Sequence, residues 1–89
     1  MKIIIVSGGL DPIHSGHIEH FRAAKELGDL LIVGLNSDSW LTRKKGKPFM
    51  TLEERLSIVR ELRTVDLAIG FNDDDNSSRD LIQKVLELY

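Results

Sequence analysis

No cysteine occurs among the 89 residues. The chain therefore has no disulfide framework and no thiolate for catalysis or for holding a metal. No apolar run approaches the length of a membrane span, and the first residues enter a short apolar stretch without the features of a signal peptide. The cytoplasm is the expected compartment. A basic excess is also missing: the formal net charge is −2, which argues against a dedicated nucleic-acid binder. There is no internal repeat, linker or low-complexity segment. What remains is an ordinary globular composition, 42% hydrophobic and 29% charged, in one small domain spanning residues 1–89 with a modest core.

The apolar pattern alternates between strand and helix. Residues 2–6 read as a buried strand covered on both faces, and residues 18–27 as a helix with Ile18, Phe21, Ala24 and Leu27 along one stripe. Gly28 is expected to close that helix in a left-handed conformation. A second buried strand covers residues 29–35, and the two strands with their helix make a right-handed βαβ unit. Residues 36–39 then cap a short helical turn through Trp40 and Leu41. The basic run at residues 43–48 reads as a mobile loop; such a run is either a solvated surface or, at the carboxyl end of a parallel strand, part of a ligand site. Thr51 and Glu54 have the form of a capping box for a helix to about Leu62, with Leu52, Leu56, Val59 and Leu62 inward. A third strand is expected over residues 65–71. The acidic stretch 72–76 lacks the spacing of a calcium loop and reads as surface. Ser77 or Ser78 caps a last helix with Leu81, Ile82, Val85 and Leu86 inward.

Chemistry concentrates where the first strand meets the first helix, in Ser7-Gly8-Gly9-Leu10-Asp11-Pro12-Ile13-His14-Ser15-Gly16-His17. Glycines after a strand and before a helix N-terminus let backbone N–H groups approach a phosphate. His14 and His17, three apart, can face one pocket. Each part alone has a bland reading: Gly-Gly as a turn, the histidines as an unrelated pair. A zinc site has no cysteine to draw on and only His20 as a third candidate. Arg55 and Arg63, eight apart, project from related helical faces, and spacing alone assigns neither a role.

Taken together, this stretch resembles the signature of the cytidylyltransferase-like nucleotidyltransferases, Gly-x-Phe-Asp followed by His-x-Gly-His, with Leu10 at the Phe position. Asn36-Ser37-Asp38, the lysine loop, Glu53-x-Arg55 and Arg63-x-Val65-Asp66 follow in that family's order. The chain is similar to its small members, glycerol-3-phosphate cytidylyltransferase and the heptose-phosphate adenylyltransferase domain. The resemblance implies an α/β fold: a Rossmann-like parallel sheet flanked by helices, in strand order 3-2-1 rather than 2-1-3. It implies that Ser7, Gly8, Gly9, Leu10, Asp11, His14, Gly16 and His17 bind nucleotide. His14, His17 and Lys44 would act on the phosphates, and Asp38, Lys44, Arg55 and Arg63 would serve the acceptor side, Arg63 there or in a homodimer interface. The family continues into further strands and a second phosphate-gripping motif. The chain is thus expected to be the N-terminal part of the usual domain, with an open first strand, weak catalysis and a tendency to associate.

The implied reaction is nucleotidyl transfer from CTP or ATP, carried with Mg²⁺, to a small phosphorylated sugar or polyol, releasing pyrophosphate. It needs positioning and charge stabilisation rather than a strong base. No protein carboxylate signature for a metal is implied, because a phosphate-bound magnesium keeps most of its waters. A nucleotide-binding module without turnover is the alternative. A redox Rossmann domain lacks its Gly-x-Gly-x-x-Gly fingerprint here.

Overall fold

The structure is a computed structural model that describes residues 1–89. Its elements in chain order are β1 (Ile3–Gly8), α1 (Ser15–Lys25), β2 (Leu30–Leu35), α2 (Asp38–Lys45), α3 (Leu52–Val59), β3 (Leu67–Gly70) and α4 (Arg79–Leu88). The three strands are parallel in the order β1-β2-β3, which is the 3-2-1 arrangement. No helix is long and apolar enough to cross a membrane.

The pleat sends alternate residues of β2 to opposite faces. Leu31, Val33 and Leu35 pack with Leu10, Phe21, Ala24, Val59 and Ala68 on the side of α1 and α3. Ile32 packs with Phe71, Leu81 and Val85 on the side of α4. Each such side chain contributes roughly 1.5–3 kcal/mol when fully buried, so central β2, buried from Leu31 to Leu35, carries much of the fold. β1 differs from its expectation. It alternates half-buried and exposed residues, because it has one strand neighbour, and Ile5 remains 36% exposed.

Several local expectations change. α1 begins at Ser15, three residues before Ile18. Its stripe reduces to Phe21 and Ala24, while Ile18 and Leu27 are exposed. Residues three apart rotate by about 60° per step around a helix, so Ile18 and Leu27 stand on opposite sides. Gly28 has no left-handed backbone; a Cβ there would lie 2.8 Å from the Lys2 carbonyl oxygen and from Ile4 Cγ1, so close approach to β1 explains it. The basic loop is half helical. Arg43, Lys44 and Lys45 form the last turn of α2, where cations suit the helix dipole, and Gly46 (φ 89°) ends it. α3 stops at Val59, where the chain tightens into turns with Glu61 N–H donating to the Ile58 carbonyl and Leu62 N–H to that of Val59. On α4 only Leu81 and Val85 are buried; Ile82 and Leu86, about 100° further round, are exposed.

Gly34, in the middle of β2, faces α4, and a Cβ there would overlap the buried Leu81 side chain. Gly34→Ala is expected to destabilise by roughly 1–3 kcal/mol through overpacking. In a Leu81→Ala background the same change should cost much less. Urea unfolding of the four proteins in this cycle checks it, and equal costs in both backgrounds would refute the contact.

Candidate functional site: two histidines at a helix start

The carboxyl ends of the three strands bring together the β1–α1, β2–α2 and β3–α4 loops. In the first, Leu10 adopts a left-handed backbone (φ 53°) that costs a non-glycine residue about 1–2 kcal/mol. Its buried side chain in the core offsets this. His14 is the N-cap of α1. Its Nδ1 accepts the Gly16 N–H at 3.0 Å, and His17 Nδ1 accepts the His14 N–H at 3.0 Å. Two imidazoles thus form the reciprocal cap usually made by Ser or Thr with Glu. A neutral ring whose Nδ1 accepts carries its proton on Nε2, so both histidines present an N–H donor away from the backbone. Their rings are 4.0 Å apart.

Gly16 explains the spacing. A Cβ at this position would sit 2.8 Å from His14 Cε1 and 3.0 Å from its Nδ1, displacing the capping ring. The His17 pKa is lowered by burial first, then by repulsion from His14 and His20. No acidic residue lies in the first turn of α1, so the donors and the positive helix end are uncompensated and fit an anion.

Asp11 and Arg55 fix the surroundings. The Asp11 carboxylate, 1% exposed, accepts from Lys45 Nζ, Phe49 N–H and Met50 N–H, each at 2.7 Å. Burial opposes its ionisation, but these donors outweigh it and hold the carboxyl below its usual range. Arg55 is fully buried. Its Nη1 donates to the carbonyls of Gly9 (2.9 Å) and Asn36 (2.7 Å), Nη2 to Asp38 Oδ1 (2.7 Å) and Nε to the Met50 carbonyl (3.1 Å). Asp38 is held as Arg55's partner. Arg55 is therefore spent on building the loops, which differs from the acceptor-side role the resemblance implies.

The other expected residues are placed as follows. Ser7 is exposed, its Oγ 3.4 Å from Ser78 Oγ. A Cβ on Gly9 would be 3.0 Å from Leu41 Cδ2, whereas Gly8 has more room. Lys44 lies 5.1 Å over the Trp40 ring, and its neighbour Lys45 is the lysine bound to Asp11. Arg63 lines a cleft of about 430 Å³ with Ile18, Arg22, Glu61, Leu62 and Thr64, and neither histidine lines it.

Asp73 was missed in the acidic stretch. It is 1% exposed and accepts from Asn36 Nδ2 (3.0 Å), Ser37 N–H (2.9 Å) and Ser37 Oγ (2.6 Å). Burial works against its ionisation, and the Ser37 and Asn36 donors more than compensate. It stands in a run with Asp74 and Asp75, and nothing in that run marks the one that turns inward. No group of three or more His, Cys, Asp or Glu side chains is placed to hold a metal ion.

Two predictions follow from this geometry. Arg55→Met should cost about 3–5 kcal/mol, as loss of a buried charged partner does. Arg55→Lys should recover only part of it, since one ammonium cannot reach four separated acceptors. A Lys variant as stable as the parent in urea would remove Arg55 from this role. The second concerns pH. The folded His17 pKa lies below the unfolded value of about 6.5, so the unfolded chain binds more protons in that window. The stability it contributes is complete above about pH 6.5 and is lost as pH falls toward the folded pKa. His17→Gln, which can still accept the His14 N–H, should flatten the fall in urea midpoint between pH 7.5 and 5.5. An unchanged slope would contradict the assignment.

Residues 5–87 match the cytidylyltransferase-like family profile. Among curated proteins, the chain is 41% identical over 75 residues to the bifunctional protein HldE of Sulfurimonas denitrificans, covering 82% of this chain and 16% of that protein. It is 45% identical over 78 residues to the bifunctional protein HldE of Blochmanniella pennsylvanica, covering 85% and 16%. The chain thus spans about a sixth of these relatives' length. Among solved structures, the lipopolysaccharide core biosynthesis protein from Thermoplasma volcanium GSS1 superposes with a TM-score of 0.82 at 31% identity, covering 98% of this chain and 67% of that one. The chain belongs to the cytidylyltransferase-like family.

Proposed function

We propose that the chain carries the phosphate-binding site of a nucleotidyltransferase, which transfers a nucleotidyl group from CTP or ATP to a small phosphorylated sugar or polyol. The observation that carries this reading is the pair of outward Nε2–H donors at the start of α1, fixed by their Nδ1 bonds and unopposed by a carboxylate. An oxygen of the acceptor's phosphate attacks the α-phosphorus; a new P–O bond forms, the bond to the β-phosphate oxygen breaks, and pyrophosphate leaves with its electrons. The acceptor phosphate is already deprotonated, so no base is required. Charge that builds on the α-phosphate oxygens meets donors already in place, which is where such donors accelerate transfer. Magnesium would arrive on the triphosphate. Asp11, its oxygens already bonded to Lys45 and two amides, has no need to coordinate it. The relative named for lipopolysaccharide core biosynthesis favours a sugar phosphate as acceptor.

A second reading is a nucleotide-binding module without turnover. None of the clefts on this chain includes either histidine, and sedimentation analysis tests whether a second copy closes the site. Pyrophosphate release with CTP or ATP and a panel of sugar and polyol phosphates separates the two. Transfer is expected with one pair, and His17→Ala should lower turnover by roughly 10²–10³ with a smaller loss of affinity, as for removal of one transition-state donor. Binding without release in every combination would establish the module instead, and near-parental turnover in the variant would remove His17 from the chemistry.

A further inference from the structure

The two caps at the start of α1 are bonded in series. His17 Nδ1 holds the His14 N–H, and His14 Nδ1 holds the Gly16 N–H, each at 3.0 Å. The His14 carbonyl in turn accepts the first helical bonds, from His17 N–H at 3.0 Å and Ile18 N–H at 3.4 Å. A neutral ring bonded this way already carries a proton on Nε2, so a second proton goes to Nδ1 and turns the acceptor into a donor. Two N–H groups would then face each other across 3.0 Å, and attraction becomes repulsion. The rings stand 4.0 Å apart, so a charge on one also opposes a charge on the other. Neighbouring charges do not relieve this. Burial, then His14 and His20 on the same helix, lower the His17 pKa, and no acidic residue lies in the first turn. Asp11, in the preceding loop, is turned onto Lys45 of α2 and the Phe49 and Met50 amides. Glu19, on α1, lies 3.8 Å from Arg22, and Arg55, from α3, is spent on loop carbonyls and Asp38.

We propose that the helix start is an acid-sensitive switch: a proton on the histidine pair unhooks the first turn of α1 and weakens triphosphate binding. This rests on the nucleotidyltransferase reading and concerns the regulation of that same site. Histidine-based anion sites ordinarily bind tighter in acid, because an imidazolium makes a charge-assisted hydrogen bond. Here the same proton removes what aims the donors. Each Nε2–H points outward because its Nδ1 is tied to the backbone, and the two rings make no other hydrogen bond within the chain. A proton on His17 drives off the His14 backbone, which carries both the other capping ring and the first helical bonds. One added charge is thereby set against two displaced donors and helix N–H groups that no longer converge on the anion. Proton and triphosphate then compete for the neutral pair, and by linkage each lowers the affinity for the other.

Calorimetry of the 89-residue protein with MgATP and MgCTP, from pH 7.5 to 5.0 and in buffers of different ionisation heat, tests it. Affinity should fall roughly four- to tenfold over that range, as for a ligand excluded by one proton with a pKa near 6. Binding at pH 6.0 should release protons. His17→Gln is the second arm, and it shares whatever protonation the ligand itself undergoes. Glutamine offers an acceptor oxygen toward the backbone and an amide donor outward, as the neutral ring does, and takes no proton. The variant should bind within about tenfold of the parent at pH 7.5, as for one altered hydrogen bond, and lose at least half of the acid fall. The free protein supplies an arm that needs no ligand: the His14 and Gly16 amide resonances should move together with the His17 ring as it titrates. Affinity that rises in acid with proton uptake would overturn the proposal. So would a parent affinity flat in pH, a variant that falls as steeply as the parent, or amides indifferent to the ring. If neither triphosphate binds at any pH, the nucleotidyltransferase reading fails and takes this proposal with it.

Discussion

The Arg55 guanidinium is the constraint on which the carboxyl edge of this sheet depends. Three parallel strands end there in loops that have no ladder to hold them, and the first two leave the Gly9 and Asn36 carbonyls facing Arg55. Arg55 collects the Gly9, Asn36 and Met50 carbonyls and the Asp38 carboxylate from one buried position. A planar fork with five donors suits this where a lysine does not. Asp11 and Asp73 complete the arrangement as buried acceptors, one for the α2–α3 connection and one for the β2–α2 loop. Donors and acceptors balance within this layer, with no buried side-chain polar atom left without a partner, and a half-satisfied network would be worse than an apolar one.

The histidines stand on that platform with two tasks. Their Nδ1 atoms satisfy the helix start, and this same bonding dictates where the proton sits. A cap made by Ser and Glu would place a negative charge beside the helix start. The imidazole pair caps without that charge, and the glycine between them is what allows the first ring to lie over the backbone.

Much of this could be read from the chain. The strand-helix alternation and the Thr51 cap follow from periodicity and local chemistry, the sheet order follows from the family resemblance, and the His-x-Gly-His stretch marks the candidate site. Burial depth was less legible. Ile18, Leu27, Ile82 and Leu86 share the apolar pattern of their neighbours, yet a narrow sheet has room for only part of each helix. The buried charges were hidden for a related reason. Arg55 and Asp73 look like surface residues in sequence, because their partners are mainly backbone groups in loops distant along the chain. Lys44 and Lys45 are adjacent and chemically identical, and only the phase of α2 sends one to Trp40 and the other to Asp11.

The claim that the rest turns on is the state of the two imidazoles. Nitrogen-15 NMR of the histidine rings at pH 7.5 reports it directly, first on the free protein and then with MgATP or MgCTP added. His14 and His17 should both be neutral with the proton on Nε2, and their Nε2 resonances should move on adding triphosphate while Nδ1 stays an acceptor. A proton on Nδ1 in either ring, or triphosphate binding that leaves both Nε2 resonances in place, would contradict the account.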